Sequence, residues 1–149
     1  MATRGKLRVL FDADVLLSAA APRSPASAPF ILLQLTELTL LEGVCCPFVV
    51  EQVRWNLAKF LPKVPEIEDQ FLRLKATLVE VRDPTARDLH PFRDLADEAD
   101  LPVLVAALKS KCRYLVTRNA RDYPDCADGL NIVGPGWLVR RIREQIARL

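Results

Sequence analysis

Leu7-Arg8-Val9-Leu10-Phe11-Asp12-Ala13-Asp14 decides the reading of the fold. A short apolar run that stops at two carboxylates is the pattern of a buried strand ending in an acidic loop. Outward from it, short apolar runs alternate with helical patterns. After a proline-rich loop over Ala21 to Pro29, Phe30 to Leu41 reads as a nearly all-apolar helix. Gly43 to Cys46 reads as a second strand, stopped by Pro47. The next helix is expected from Phe48 to Leu61, with Val50, Val53, Leu57 and Phe60 on one face. Ile67, Phe71 and Leu74 mark another amphipathic helix, and Leu78 to Val81 a third strand. Glu98 to Ser110 reads as a helix with Leu101, Leu104, Val105 and Leu108 inward; Pro102 fits its first turn. Tyr114 to Val116 and Asn131 to Val133 are strands four and five. A last helix opens near Pro135 and carries Leu138, Ile142, Ile146 and Leu149. Strands alternating with helices predict an α/β protein whose central parallel sheet, of about five strands, is covered on both faces.

The chain has 149 residues, which fits a single domain over residues 1–149. Hydrophobic residues make up 50% and charged residues 27%, the balance of a globular protein rather than a disordered tail. A net charge of +2 is too mild to imply a nucleic-acid partner, so any partner must be argued from where the charges sit. Cys45, Cys46, Cys112 and Cys126 form no CxxC pair, and His90 is the only histidine. These thiols are therefore expected to be reduced and mostly buried, in a cytoplasmic protein with no Cys/His metal site. His90 is expected on a surface loop before Pro91, outside the chemistry. The basic start (Arg4, Lys6, Arg8) is followed by apolar residues, as in a signal peptide, but Asp12 and Asp14 interrupt that stretch. No stretch approaches the ~18 apolar residues of a membrane span.

In a parallel sheet, ligands bind outside the carboxyl ends of the strands. Asp12 and Asp14 follow strand one, and Glu51 lies in the first turn after strand two. Asp97, Glu98 and Asp100 open the helix before strand four, and Asn119 and Asp122 follow that strand. Each segment also has a structural reading. Asp14 suits a helix cap, Glu51 a partner for the helix dipole, and Asp122 a turn. Asp97 is expected to cap its helix, leaving Asp100 as the functional acid. Convergence of the four segments is what favours chemistry. Two unit charges ~4 Å apart repel by about 4 kcal/mol at an effective dielectric near 20. A divalent cation offsets that repulsion, and oxygen-only ligands suit Mg²⁺ or Mn²⁺.

Four segments together resemble the PIN-domain ribonucleases, the fold shared by the toxin nucleases of toxin–antitoxin pairs. They are Val9 to Ala19 around Asp12; Val49 to Arg54 around Glu51; Asp97 to Ala107 around Asp100; and Tyr114 to Tyr123 with Thr117, Asn119 and Asp122. The resemblance covers almost the whole chain and implies a three-layer α/β/α sandwich. It carries Asp12, Glu51 and Asp100 over as the central metal-binding acids, with Thr117, Asn119 and Asp122 as the fourth motif. Many members have Asp where Asn119 stands, so either Asp122 supplies the fourth ligand or the site is weaker. Asp14 stands where Asn is usual and adds a charge.

What the resemblance implies is metal-assisted hydrolysis of RNA phosphodiester bonds, with Mg²⁺ or Mn²⁺ activating a water. Arg118, Arg121 and Arg54 are the candidate phosphate contacts; pairing with neighbouring acids is the alternative. Arg140, Arg141, Arg143 and Arg148 on the last helix suit RNA, an antitoxin protein or plain solvation. A homodimer follows by analogy only. The Phe30–Leu41 helix fits either a partner or the chain's own core. Asp97-Glu98-Ala99-Asp100 spells a helicase motif by coincidence, since no phosphate-binding GxxxxGK[ST] loop exists. The rival from another class is a module of this fold that binds RNA or protein without cleaving.

Overall fold

The computed structural model describes residues 6–21, 24–59 and 65–149; the sequence readings at Arg4, Pro22, Phe60 and Leu61 lie outside them. Strands β1 (Leu7–Phe11), β2 (Leu41–Cys45), β3 (Val79–Glu80), β4 (Tyr114–Val116), β5 (Cys126–Ala127) and β6 (Leu130–Val133) form one sheet, ordered β3-β2-β1-β4-β6-β5. All neighbours are parallel except β5 with β6. The helices are α1 (Ala13–Ala20), α2 (Ala28–Glu37), α3 (Pro47–Leu57), α4 (Glu66–Lys75), α5 (Ala86–Leu89), α6 (Leu101–Lys109) and α7 (Pro135–Ala147).

Parallel neighbours need crossovers, and crossovers are right-handed. The chain steps from β1 to β2 to β3 in one direction, so α1 to α4 lie on one face. It then returns past β1 to β4, which puts α5 and α6 on the other face. Contacts agree: α1 packs on α2, α3 and α4, α2 packs on α7, and α5 packs on α6. The result is the expected mixed α/β sandwich. Phe11, Leu10, Leu16, Leu32, Leu33, Leu115 and Leu138 are fully enclosed between the layers. Leu32 and Leu33 of α2 are thus buried in the chain's own core rather than left for a partner. Three of the four cysteines (Cys45, Cys46, Cys112) are buried, Cys126 is exposed, and all are free thiols.

Two expectations are corrected. The sheet has six strands, not about five, because Asp128 (φ 47°) and Gly129 (φ 86°) turn β5 back onto β6. An Asp-Gly pair with both φ positive is the two-residue hairpin signal. The helix expected from Glu98 begins only at Leu101, with Asp100 in the cap position. The backbone N–H of Asp100 donates to the Asp97 carbonyl at 2.9 Å, so Asp97 closes a turn and is not the cap.

Candidate active site

The strand order changes direction at β1 and β4. The chain leaves β1 toward β2 but leaves β4 toward β6, and the diverging loops open a crevice at the carboxyl edge. Both decisive loops, Asp12–Asp14 and Thr117–Asp122, border it. The Asp12 N–H extends the ladder by donating to the Val116 carbonyl at 2.9 Å. Its side chain then caps α1, with Oδ1 accepting from the Ala13 N–H at 2.8 Å. Oδ2 accepts from the Thr117 hydroxyl at 2.8 Å and from the Tyr123 hydroxyl at 3.4 Å. Thr117 is fully buried and its Oγ1 also accepts from the Asn119 N–H at 3.1 Å. One hydroxyl therefore fixes both the first acid and the loop after β4.

Asp14 follows two residues on, in the first turn of α1. Its Oδ2 accepts from the Asn119 side-chain amide at 2.9 Å, and the Arg118 N–H lies 3.5 Å from its Oδ1. The Arg118 guanidinium donates to Ser18 Oγ at 3.0 Å; the two residues line a separate hollow with Ser27 and Pro135, and Arg118 does not line the acidic one. Asp100 makes no side-chain cap bond, so its carboxylate is left to face the crevice. Asp12, Asp14, Asp100 and Asn119 line a hollow of about 400 Å³, together with Leu17, Gln52, Trp55 and Asn56.

These carboxylates disfavour one another's charge. Burial first, and then the Asp12 charge, pushes the Asp14 carboxyl up to about 6. Asp100 is also raised, by burial and then by Asp122, Asp12 and Asp97. The Tyr123 phenol is held well above its usual range by burial and by Asp12, Asp100 and Asp14, so it stays a proton donor to Asp12. Among the described residues, no three His, Cys, Asp or Glu side chains converge closely enough to hold an ion by themselves. The donors nevertheless fit Mg²⁺ or Mn²⁺: all are oxygens, and they repel. Mg²⁺ characteristically takes only one or two carboxylates and completes its shell with water and phosphate oxygens.

Of the acids read from the sequence, Asp12, Asp14 and Asp100 meet in the hollow, with Asn119. Asp122 and Asp97 are exposed but close enough to raise Asp100, and Thr117 lies beneath. Glu51 is not brought in: it is exposed, and the hollow is walled instead by Gln52 and Asn56. Successive helical residues are ~100° apart, so with Val49, Val50, Val53 and Leu57 inward it is Gln52 that flanks the crevice. Arg54 lies ~200° round α3 from Gln52 and does not line the hollow. Arg121 is exposed and does not line it either. Sequence reasoning missed Gln52, Trp55, Asn56 and Tyr123. The i, i+4 spacing of Gln52 and Asn56 beside the apolar stripe was the available signal for the first and third.

Fold and crevice define an α/β protein with an acidic hollow at the switch point of its sheet. A family model described as PIN domain matches residues 8–121, and the chain belongs to that family, whose members are generally nucleases. Among solved structures the chain is similar to VapBC2 from Rickettsia felis, solved bound to a DNA fragment from its promoter. Identity is 12% and the TM-score 0.64, covering 85% of this chain and 98% of that one. It is also similar to PAE2754 from Pyrobaculum aerophilum, with 18% identity and a TM-score of 0.59 over 92% of each chain. At these identities the likeness is one of fold. Comparison with curated proteins gives no match.

Proposed function

We propose that this chain is a divalent-metal-dependent endoribonuclease of the toxin–antitoxin kind. The observation that carries the reading is the gathering of Asp12, Asp14 and Asp100, with Asp122 nearby, at the switch point. Burial first, and then their mutual repulsion, lifts Asp14 and Asp100. Keeping such a cluster costs stability, and a bound cation is what would offset it. Asp12 and Asp100 would hold the ion, with water and phosphate oxygens completing its shell and Asp14, Asp122 and Asn119 as the nearest further oxygen donors. When bound, Mg²⁺ or Mn²⁺ lowers the pKa of water and neutralises charge on the phosphate. The chain's own residues do the rest. Thr117 and Tyr123 fix the Asp12 carboxylate by donating to Oδ2. Asn119 orients Asp14. Arg118, whose backbone N–H faces Asp14, would take a non-bridging phosphate oxygen. Glu51 has no ligand role in this reading, and Arg54 and Arg121 are at most outer contacts.

Gln52, which walls the hollow where Glu51 was expected to reach it, and Asn119, where many family members have Asp, favour a second reading: a weakly catalytic module that binds RNA or protein. Among the described residues no helix is long and apolar enough to cross a membrane; action in the cytoplasm belongs to the proposal by analogy with the family. An antitoxin protein and a homodimer remain part of the proposal by analogy with the family.

The test is cleavage of labelled single-stranded RNA with Mn²⁺ or Mg²⁺, against EDTA and against Asp12→Asn and Asp100→Asn. Cleavage abolished in all three controls is the expected result. Metal-dependent RNA binding without cleavage would select the module, and turnover retained in both variants would overturn the site.

A further inference from the structure

The mild net charge hides a separation. Carboxylates crowd the carboxyl edge of the sheet, while cations gather at the opposite edge, where β1 and β4 begin. There Lys6, Arg8, Lys111, Arg113 and Arg141 line a hollow of about 380 Å³ that no Asp or Glu lines. Two of the five have acidic neighbours: Arg8 pairs with Glu42 at 2.7 Å, and Arg141 with Glu144 at 3.9 Å. Among the described residues, Lys6, Lys111 and Arg113 pair with no acid. The Arg8 Nε is buried without a hydrogen-bond partner.

Lys111 adds a second observation. It follows α6 in the left-handed region, at φ 59°, where the Cβ of any non-glycine residue is strained. Its N–H donates to the Leu108 carbonyl and the Cys112 N–H to the Ala107 carbonyl, the helix-ending arrangement that usually takes glycine. A lysine here has a backbone cost and puts a cation on the hollow.

We propose that this basic hollow binds the phosphate backbone of single-stranded RNA, as a site separate from the acidic crevice. Strands of this sheet have at most five residues, so the two ends lie ~16 Å apart along β1. That separates them by more than a Debye length in physiological salt, so each end acts on its own stretch of substrate. The aromatic beside the hollow favours RNA over an acidic peptide. Tyr114 lines the hollow and packs against Trp137, their rings 5.8 Å apart. Arg113 lies over the Tyr114 ring at 6.0 Å, Trp137 is 43% exposed, and an open indole packed against that ring is a platform on which an unpaired base stacks. A chain of carboxylates has no use for that surface.

The inference rests on the ribonuclease reading for its biological sense but is tested apart from it. Binding of a fluorescent 12-nucleotide RNA to the full chain is followed in EDTA, where no cleavage occurs, across a salt series. Arg113→Glu with Arg141→Glu is expected to weaken binding at least tenfold. It should also flatten the log–log salt dependence by roughly 0.7 per lost phosphate contact. Lys111→Gly guards against misfolding, since glycine takes φ 59° without strain; it is expected to weaken binding about threefold while unfolding no earlier. Trp137→Ala is expected to weaken RNA binding but not binding of polyglutamate. Unchanged affinity in the first two variants overturns the proposal, as does polyglutamate of equal charge competing as well as RNA. Wild-type protein that binds RNA here but cleaves none refutes the nuclease reading alone. Cleavage of a dinucleotide unchanged in the basic-edge variants, with long RNA also bound normally, refutes this inference alone.

Discussion

Asp14 offers the sharpest measurement, because its charge works against the fold. Burial and Asp12 raise its carboxyl from 3.8 to about 6. Between those values the native state binds a proton that the unfolded chain has released, so stability falls as pH rises. The penalty is absent below 3.8 and complete above about 6. The gap between the two values amounts to about 3 kcal/mol at 1.36 kcal/mol per pKa unit. Asp14 is still partly open to water, and screening reduces this to ~1–2 kcal/mol. Asp14→Asn removes the charge and keeps an oxygen for the Asn119 amide. Thermal unfolding in EDTA should therefore show the variant melting ~2–8 °C higher at pH 7.5, with the difference closing toward pH 4. Saturating Mg²⁺ should narrow it again by stabilising the wild type. A variant that melts at or below the wild type at pH 7.5, or a gain as large at pH 4, would refute the argument from burial and repulsion and with it the reason for placing a cation here.

Thr117→Val removes a donor from Asp12 and strands the Asn119 N–H, which should cost ~1–3 kcal/mol in chemical denaturation and lower kcat tenfold or more. Thr117→Ser should restore most of both. Gly43→Ala places a Cβ 2.6 Å from Leu78, 2.9 Å from Phe11 and 2.9 Å from Thr36; overpacking of ~1–3 kcal/mol is expected, read as an earlier urea midpoint. Glu51→Gln should leave cleavage within twofold, while Asp100→Asn should lose at least a hundredfold; parity between them would return Glu51 to the site. In the thiols, burial pushes Cys45 up to about 11 and Cys46 up to about 12. A thiol reagent at pH 7.5 should therefore label only the exposed Cys126 quickly, counted by mass spectrometry.

The order of strands and helices was legible in the sequence, because buried parallel strands are short apolar runs and their helices carry apolar stripes. So were Asp12, Asp14 and Asp100, since each directly follows a strand or opens a helix, and parallel topology sends those ends to one edge. The limits of periodicity show at Glu51. The stripe of Val50, Val53 and Leu57 fixes which face of α3 is inward, but not which flank meets the crevice. That depends on where α3 lies against α1 and α6, and it turns Gln52 rather than Glu51 to the hollow. The Tyr123 and Thr117 bonds to one oxygen of Asp12 join residues more than a hundred positions apart, as does the gathering of the basic edge from β1, β4 and α7. Local sequence carries the pattern that forms each element and the charges at its ends. Which charges share a surface is decided only when right-handed crossovers bring β4 beside β1, since Coulomb interactions and hydrogen bonds act through space and not along the chain.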